Sequence, residues 1–442
     1  MTKSAGRSTA VWTVPLLLTA STIASAQQWI SVANYPIPTP NSLPGGITAG
    51  PDGALWFTVS NTGKIGRVTT EGAITEFPIP TANGEPGGII AGPDGALWFT
   101  EYNGNKIGRI TTTGLFTEYP VPTRDSSPDE IAAGPDGALW FTEYNGNKIG
   151  RISTAGVISE YVIPRQRSYP EGIAPGLDGA LWFAEGNVMA IGRITVNGAF
   201  TEYPVEYYTN AITRGPDGAL WFSAGGVIGR ITTAGALTYY PTNYADFVGS
   251  MTSGPDGAVW FTEPQSCFDA GCGGVIISRV TMAGVMTEYR FASDIYSHSP
   301  VGVATGADRA LWFTDYFGGS IARAPACGLG LTLSFVDTTL NLGFDLGIPT
   351  PATWNGYISD INGLRQLWSK PISAISPVTS FTFNDGPGFS PEGEVGIASV
   401  LTTPSGEALC AESRIVDTGG TGAAVKELRR SMDPKALAGQ RR

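Results

Sequence analysis

The octapeptide Gly-Pro-Asp-Gly-Ala-Leu-Trp-Phe recurs along the chain with small variations, marked by Trp56, Trp98, Trp140, Trp182, Trp221, Trp260 and Trp312. Successive Trp copies lie 42, 42, 42, 39, 39 and 52 residues apart. A period of about 40 residues, rich in strand formers and turn residues, is the signature of a β-propeller with one blade per repeat. The expected fold class is therefore all-β: a seven-bladed propeller, followed by a smaller region in which the repeat is absent. In a propeller, ligands are met at a mouth of the central channel, so departures from the repeat point to function.

One unit shows how a blade is built. Gly92-Pro93-Asp94-Gly95 is a turn, because Pro presets φ at the second position and Gly closes it. It separates a short inner strand, Gly88–Ala91, from a second strand, Ala96–Glu101. Tyr102–Asn105 turns again into a third strand, Lys106–Thr111, and Thr113-Gly114 leads to an outer strand, Leu115–Val121. The last unit, ending near Ala324, lacks the outer strand, and Ala33–Thr39 carries the matching sequence. The N-terminal segment is expected to complete the seventh blade and so remove exposed edges. Each third strand also holds an Arg (Arg67, Arg109, Arg151, Arg193, Arg230, Arg279, Arg323), expected to pair with carboxylates such as Glu76, Glu118, Glu160, Glu202 and Glu288.

Four segments follow from composition and pattern. Residues 1–26 read as a secretory signal: Lys3 and Arg7, an apolar run Ala10–Ala20, and a small-x-small site at Ala24-Ser25-Ala26. Residues 27–325 hold the propeller, 326–417 a β-sandwich-like domain, and 418–442 a flexible basic tail. An exported, monomeric protein without a transmembrane segment is expected. Cys267, Cys272, Cys327 and Cys410 suit an oxidising compartment; Cys267 with Cys272 and Cys327 with Cys410 are candidate disulfides, with other pairings open. The net charge of −11 argues against a nucleic-acid partner, whose phosphates need a basic footprint.

The string GPDGALWFTEYNGNKIGRITTTG, followed by TEYPVPT, resembles the repeat of the virginiamycin B lyase (streptogramin B lyase) family. The resemblance spans roughly residues 30–325. It implies a seven-bladed propeller and, in active members, Mg²⁺-assisted elimination across an ester C–O bond that linearises a cyclic depsipeptide. It also implies catalytic His residues directly after Pro at the start of inner strands, with a Glu nearby. The equivalent positions here are Gly45, Gly87, Asp129, Glu171, Asn210, Gly249 and Val301, none of them His. The one His, His298, stands two residues before Pro300, out of register.

The other candidate mouth residues are acidic and aromatic. Asp129, Glu130 and Glu171 begin inner strands; Glu101, Glu143, Glu185, Glu263 and Asp315 end second strands; Tyr102, Tyr144 and Tyr316 follow three of these. With His298 they are the candidate mouth residues. Converging carboxylates could hold Mg²⁺ or Ca²⁺. The expectation is a ligand-binding or scaffold propeller for a small molecule, peptide or glycan. The alternative is a C–O lyase or metal-assisted hydrolase working at the acidic mouth.

Overall fold

The computed structural model describes residues 32–242, 248–263, 275–291 and 299–324, with the backbone of a strand at 28–29 and of seven strands between 332 and 417. The signal segment, His298, the insertion at 264–274 with Cys267 and Cys272, Cys327 and the tail lie outside the described residues, as does the Cys410 side chain.

Seven antiparallel sheets follow one another along the chain, each strand pairing with the next. Blades 1 to 7 have their inner strands at Pro44–Ala49, Pro86–Ala91, Pro128–Ala133, Pro170–Pro175, Ile212–Arg214, Met251–Ser253 and Pro300–Thr305. Blade 7 takes its outer strand from Ala33–Pro36, which pairs antiparallel with Ser320–Ala324. Gln28–Trp29 adds a parallel edge strand to blade 6. The N-terminal segment thus ties together the two blades that the C-terminal end of the repeat supplies.

The GPDGALWF repeat is a packing device. Its Leu, Trp and Phe are all buried, because each second strand is covered on both faces by neighbouring blades. Asp94 shows what the turn acid does. Its Oδ1 accepts a bond from Trp98 Nε1 at 2.9 Å and its Oδ2 one from Arg109 Nε at 2.7 Å. The guanidinium lies over the indole, 5.9 Å from the ring centre, and Tyr119 stacks on Trp98 at 5.6 Å. Burial alone would raise the Asp94 carboxyl, but the bonds from Trp98 and Arg109 outweigh it and hold it below the usual range. Every blade pairs its third-strand Arg with its turn Asp in this way. The Arg residues therefore do not pair with the outer-strand Glu residues. Glu76, Glu118, Glu160 and Glu202 accept from a neighbouring loop instead, as Glu118 does from Thr81 N and Thr81 Oγ1 alongside Lys106 Nζ.

A second relay closes the ring. In blades 1, 2 and 6 the Thr after Trp-Phe donates across to the next blade's inner strand: Thr58 Oγ1 to Gly87 O at 2.8 Å, Thr100 to Asp129 O at 2.6 Å, and Thr262 to Val301 O at 2.6 Å. Thr314 donates to Gly45 O at 2.7 Å, joining blade 7 to blade 1. The same hydroxyl accepts from its own inner strand, as Gly88 N to Thr100 Oγ1 at 3.0 Å. Thr100→Val keeps the shape but strands a buried N–H and C=O. It is expected to lower stability by about 1–3 kcal/mol, read from the midpoint of urea unfolding.

Beyond the propeller the chain forms two antiparallel sheets. One has three strands (Thr332–Val336, Thr339–Gly343, Phe381–Asn384); the other has four, in the order Gly363–Ile372, Ala352–Asp360, Glu394–Thr402, Ala408–Asp417.

Candidate functional site: an acidic and aromatic channel mouth

Each inner strand that starts with Pro begins with an irregularity. In blade 3, Pro128 pairs with Glu143 and Ile131 with Phe141, so Asp129 and Glu130 form a bulge. The same shift places Gly45-Gly46, Gly87-Gly88, Glu171-Gly172 and Val301-Gly302 in bulges of blades 1, 2, 4 and 7. Bulges re-aim side chains at the rims of closed sheets. The glycines are needed for closeness: a Cβ on Gly46 would lie 2.8 Å from Gly87 O, and one on Gly302 would lie 2.4 Å from Gly45 O.

Side chains are therefore distributed unevenly around the mouth. Blades 7, 1 and 2 present Val301 and glycines at these bulges; blades 3 and 4 present Asp129, Glu130 and Glu171. The Glu130 carboxylate folds back over Gly88, where an added Cβ would lie 2.6 Å from its Oε2. Asn210, at the equivalent place in blade 5, is occupied structurally: its Nδ2 donates to Val248 O at 2.6 Å and its Oδ1 accepts from Ser223 Oγ at 2.5 Å.

Tyrosines gather on the acidic side. Tyr102, Tyr144 and Tyr169 form a ladder across blades 2 to 4, with ring centres 6.4 Å and 5.0 Å apart in succession. Tyr208 donates its hydroxyl to Glu171 Oε1. Tyr169 precedes Pro170 and holds φ at +46°, a left-handed conformation that bulky side chains rarely adopt. Tyr316 sits elsewhere on the ring, in blade 7, edge-on to Phe317 at 5.1 Å.

The electrostatics follow from enclosure. Burial pushes Asp129 up to about 6. Burial, with a smaller contribution from the Asp129 charge, pushes Glu171 up to about 7 against the opposing bond from Tyr208. Glu130 is raised for the same reasons, enclosure first and Asp129 second. Its side chain is nonetheless open to channel solvent, which screens part of that push. The Tyr208 hydroxyl is raised by burial and then by Glu171, so it stays a donor at neutral pH. No ion pair joins Asp129, Glu130 or Glu171 to a cation among the described residues.

The other candidates are placed differently. Glu101, Glu143 and Glu185 are fully buried between blades, and Glu263 and Asp315 are nearly so. Asp315 accepts from Ser299 N at 2.8 Å, an anchoring bond. A divalent metal does not fit: among the described residues, no three His, Cys, Asp or Glu side chains converge in a way that could hold one. Tyr169 and Tyr208 were not among the sequence candidates. The signal for Tyr169 was present, since it fills the pre-proline position held by Leu43, Glu85 and Ser127 in blades 1 to 3.

Among solved structures, a streptogramin B lyase shares 36% identity over 68% of this chain and 99% of its own, with a TM-score of 0.62. Virginiamycin B lyase from Staphylococcus aureus shares 37% identity over 67% of this chain and 99% of its own, with a TM-score of 0.61. A catalytically inactive histidine-to-alanine variant of the S. aureus enzyme, solved with quinupristin, superposes with a TM-score of 0.61 at 36% identity, covering 67% of this chain and 99% of its own. A curated virginiamycin B lyase from Saccharopolyspora erythraea is 43% identical over 49 residues, 11% of this chain and 16% of that protein's length. The virginiamycin B lyase family model matches residues 2–210 and 205–329. The chain belongs to the virginiamycin B lyase family.

Proposed function

We propose that this protein is a binding member of its family that takes a cationic organic ligand, such as a basic peptide, at the channel mouth. One observation carries the reading. The positions that the family resemblance assigns to catalytic His hold Gly, Gly, Asp, Glu, Asn, Gly and Val, and the acidic ones stand beside a tyrosine ladder. Carboxylates without a cation of their own attract one, and tyrosine faces add cation–π attraction. A single His-to-Ala change accompanies inactivity in the S. aureus relative, and here His is absent from all seven positions. Export through the signal segment is part of the proposal, with the C-terminal sheets as a sandwich-like spacer. No helix among the described residues is long and apolar enough to cross a membrane.

Two measurements test this. Calorimetric titration of the mature chain with an arginine-containing tripeptide and its neutral citrulline counterpart is expected to favour the cation by about tenfold, on the order of 1.4 kcal/mol. Glu171→Gln is expected to narrow that preference, whereas equal binding of the two peptides would sink the charge argument. Incubation with a streptogramin B and Mg²⁺ is expected to leave the ring intact by mass spectrometry and chromatography; ring opening would restore the lyase reading.

A second reading has one observation in its favour. Asp129 at about 6 and Glu171 at about 7 are matched to proton transfer near neutral pH. A hydrolase or lyase using this pair would lose turnover in Asp129→Asn, with a pH profile set by the two carboxyls.

A further inference from the structure

The residue that ends the second strand is Val59, Glu101, Glu143, Glu185, Ala224, Glu263 and Asp315 in blades 1 to 7. Val59 and Ala224 show that the fold does not require a carboxyl there. In blades 2, 3 and 4 the Glu is 0% exposed, and neither of its oxygens makes a hydrogen bond of ordinary geometry, the nearest polar groups being Thr81 and Glu118 for Glu101 and Ser126 for Glu143. The charged neighbours of each are a second carboxylate and a single cation: Glu118 and Lys106, Glu160 and Lys148, and Glu202 and Arg165.

The set of two carboxyls and a Lys is complete in blades 2 and 3 and altered elsewhere; blade 6 keeps Glu263 and Glu288 with Ile276 at the Lys position. Blade 1, with Val59, keeps only the Lys64–Glu76 pair. Blade 4 has Ala190 where the Lys stands, and Arg165 supplies the cation from the preceding loop. Blade 5 replaces all three at once, with Ala224, Val227 and Tyr239. Two ionised carboxylates and one cation leave an excess negative charge, and the second-strand Glu that would carry it is shut off from solvent while the facing Glu and the cation are partly exposed, which is unfavourable. One proton per set removes it.

The outer-strand Glu of each set also holds a loop. Glu118 accepts from Thr81 N, Glu160 from Thr123 N and Glu202 from Arg165 N, at 3.0, 2.9 and 3.3 Å. Loops 81–85, 123–127 and 165–169 lead directly into the bulges of blades 2, 3 and 4. The second carries into Asp129-Glu130, and the third includes Tyr169 and carries into Glu171.

We propose that Glu101, Glu143 and Glu185 are kept as neutral carboxylic acids and form a proton-dependent latch on the loops that position the mouth. Loss of the proton to solvent base leaves two facing carboxylates, whose repulsion loosens the outer-strand Glu from its loop. Burial first, and the facing Glu second, push these carboxyls up to about 7, 8 and 8, so the latch opens on the alkaline side of neutrality. Its consequence for ligand rests on the mouth reading above; the latch itself does not.

The test is hydrogen exchange on the ligand-free full chain, corrected for intrinsic exchange, at about pH 6 and about pH 9. The wild type is expected to lose protection at 123–127 and 165–169 at the higher pH by at least about tenfold. Glu143→Gln is expected to keep 123–127 protected while 165–169 still opens through Glu185. Glu143→Val, patterned on blade 1, is expected to behave the same way at 123–127. Opening of 123–127 in both variants as in the wild type, or equal protection of the wild type at both pH values, would overturn the latch. Because no ligand is added, a failure of cation binding leaves this result unaffected.

Discussion

The melting temperature of the whole protein is expected to fall as the pH rises from about 5 to about 8. The folded state raises Asp129 to about 6, Glu101 and Glu171 to about 7, and Glu143 and Glu185 to about 8, each mainly through burial. A carboxyl raised on folding keeps its proton where the unfolded chain has released it. Its stabilising effect is complete below the unfolded value near 4 to 4.5, and is lost as pH climbs through the folded value. For the fully buried Glu101, Glu143 and Glu185, the loss is on the order of a few kcal/mol per group. The opposite sign applies to Asp52, Asp94, Asp136, Asp178 and Asp217, whose carboxyls are lowered because bonds from Trp and Arg outweigh burial. Their contribution is present above about pH 4 and lost in stronger acid. A stability maximum at mildly acidic pH is the combined expectation. A calorimetric scan series across pH checks it, and a flat or rising profile from 5 to 8 would contradict the assigned proton states. Glu143→Gln is expected to reduce the alkaline loss.

Trp140→Ala is expected to cost about 3–5 kcal/mol, the range for removing a large buried aromatic. Trp140 is fully buried and packs with Ile149 and Leu181 across the gap between blades 3 and 4. Its Nε1 donates to Asp136 Oδ1 at 3.0 Å, Tyr161 stacks on it at 5.5 Å, and the Arg151 guanidinium lies over its ring at 5.9 Å. The substitution leaves both a cavity and an unfilled acceptor on Asp136. Trp140→Phe restores much of the volume without the N–H, so an intermediate loss is expected. Urea unfolding of the two variants beside the wild type separates packing from hydrogen bonding. A Trp140→Ala loss below about 1 kcal/mol would show that the repeat tryptophans are not the main inter-blade cement.

The repeat made the fold legible because every unit carries the same turn chemistry at nearly the same spacing. Gly-Pro-Asp-Gly can only turn, and the flanking apolar runs are too short for helices. The register it supplied was enough to identify Gly45, Gly87, Asp129, Glu171, Asn210, Gly249 and Val301 as equivalents, and hence to find them without His. The site was only half legible. Asp129, Glu130, Glu171, Tyr102 and Tyr144 could be named because they depart from, or directly follow, repeated positions. Tyr208 could not, because it lies in an irregular connection where the period slips to 39 residues.

The sequence by itself determined seven blades, the register of the turn Asp and third-strand Arg, and the absence of His from the positions after the inner-strand prolines. Only the tertiary structure decided where the carboxylates point. A half-exposed strand announces its two faces by alternation, but these second strands are buried on both faces, so Leu97, Trp98, Phe99, Thr100 and Glu101 read alike. Period two puts Glu101 on the side of Leu97 and Phe99, within the gap between blades, while the bulge at 129–130 leaves Asp129 part-exposed and Glu130 exposed. Which acid meets solvent, which keeps a proton, and which Asp pairs with which Arg depend on contacts between strands and neighbouring blades, and those exist only once the ring has closed.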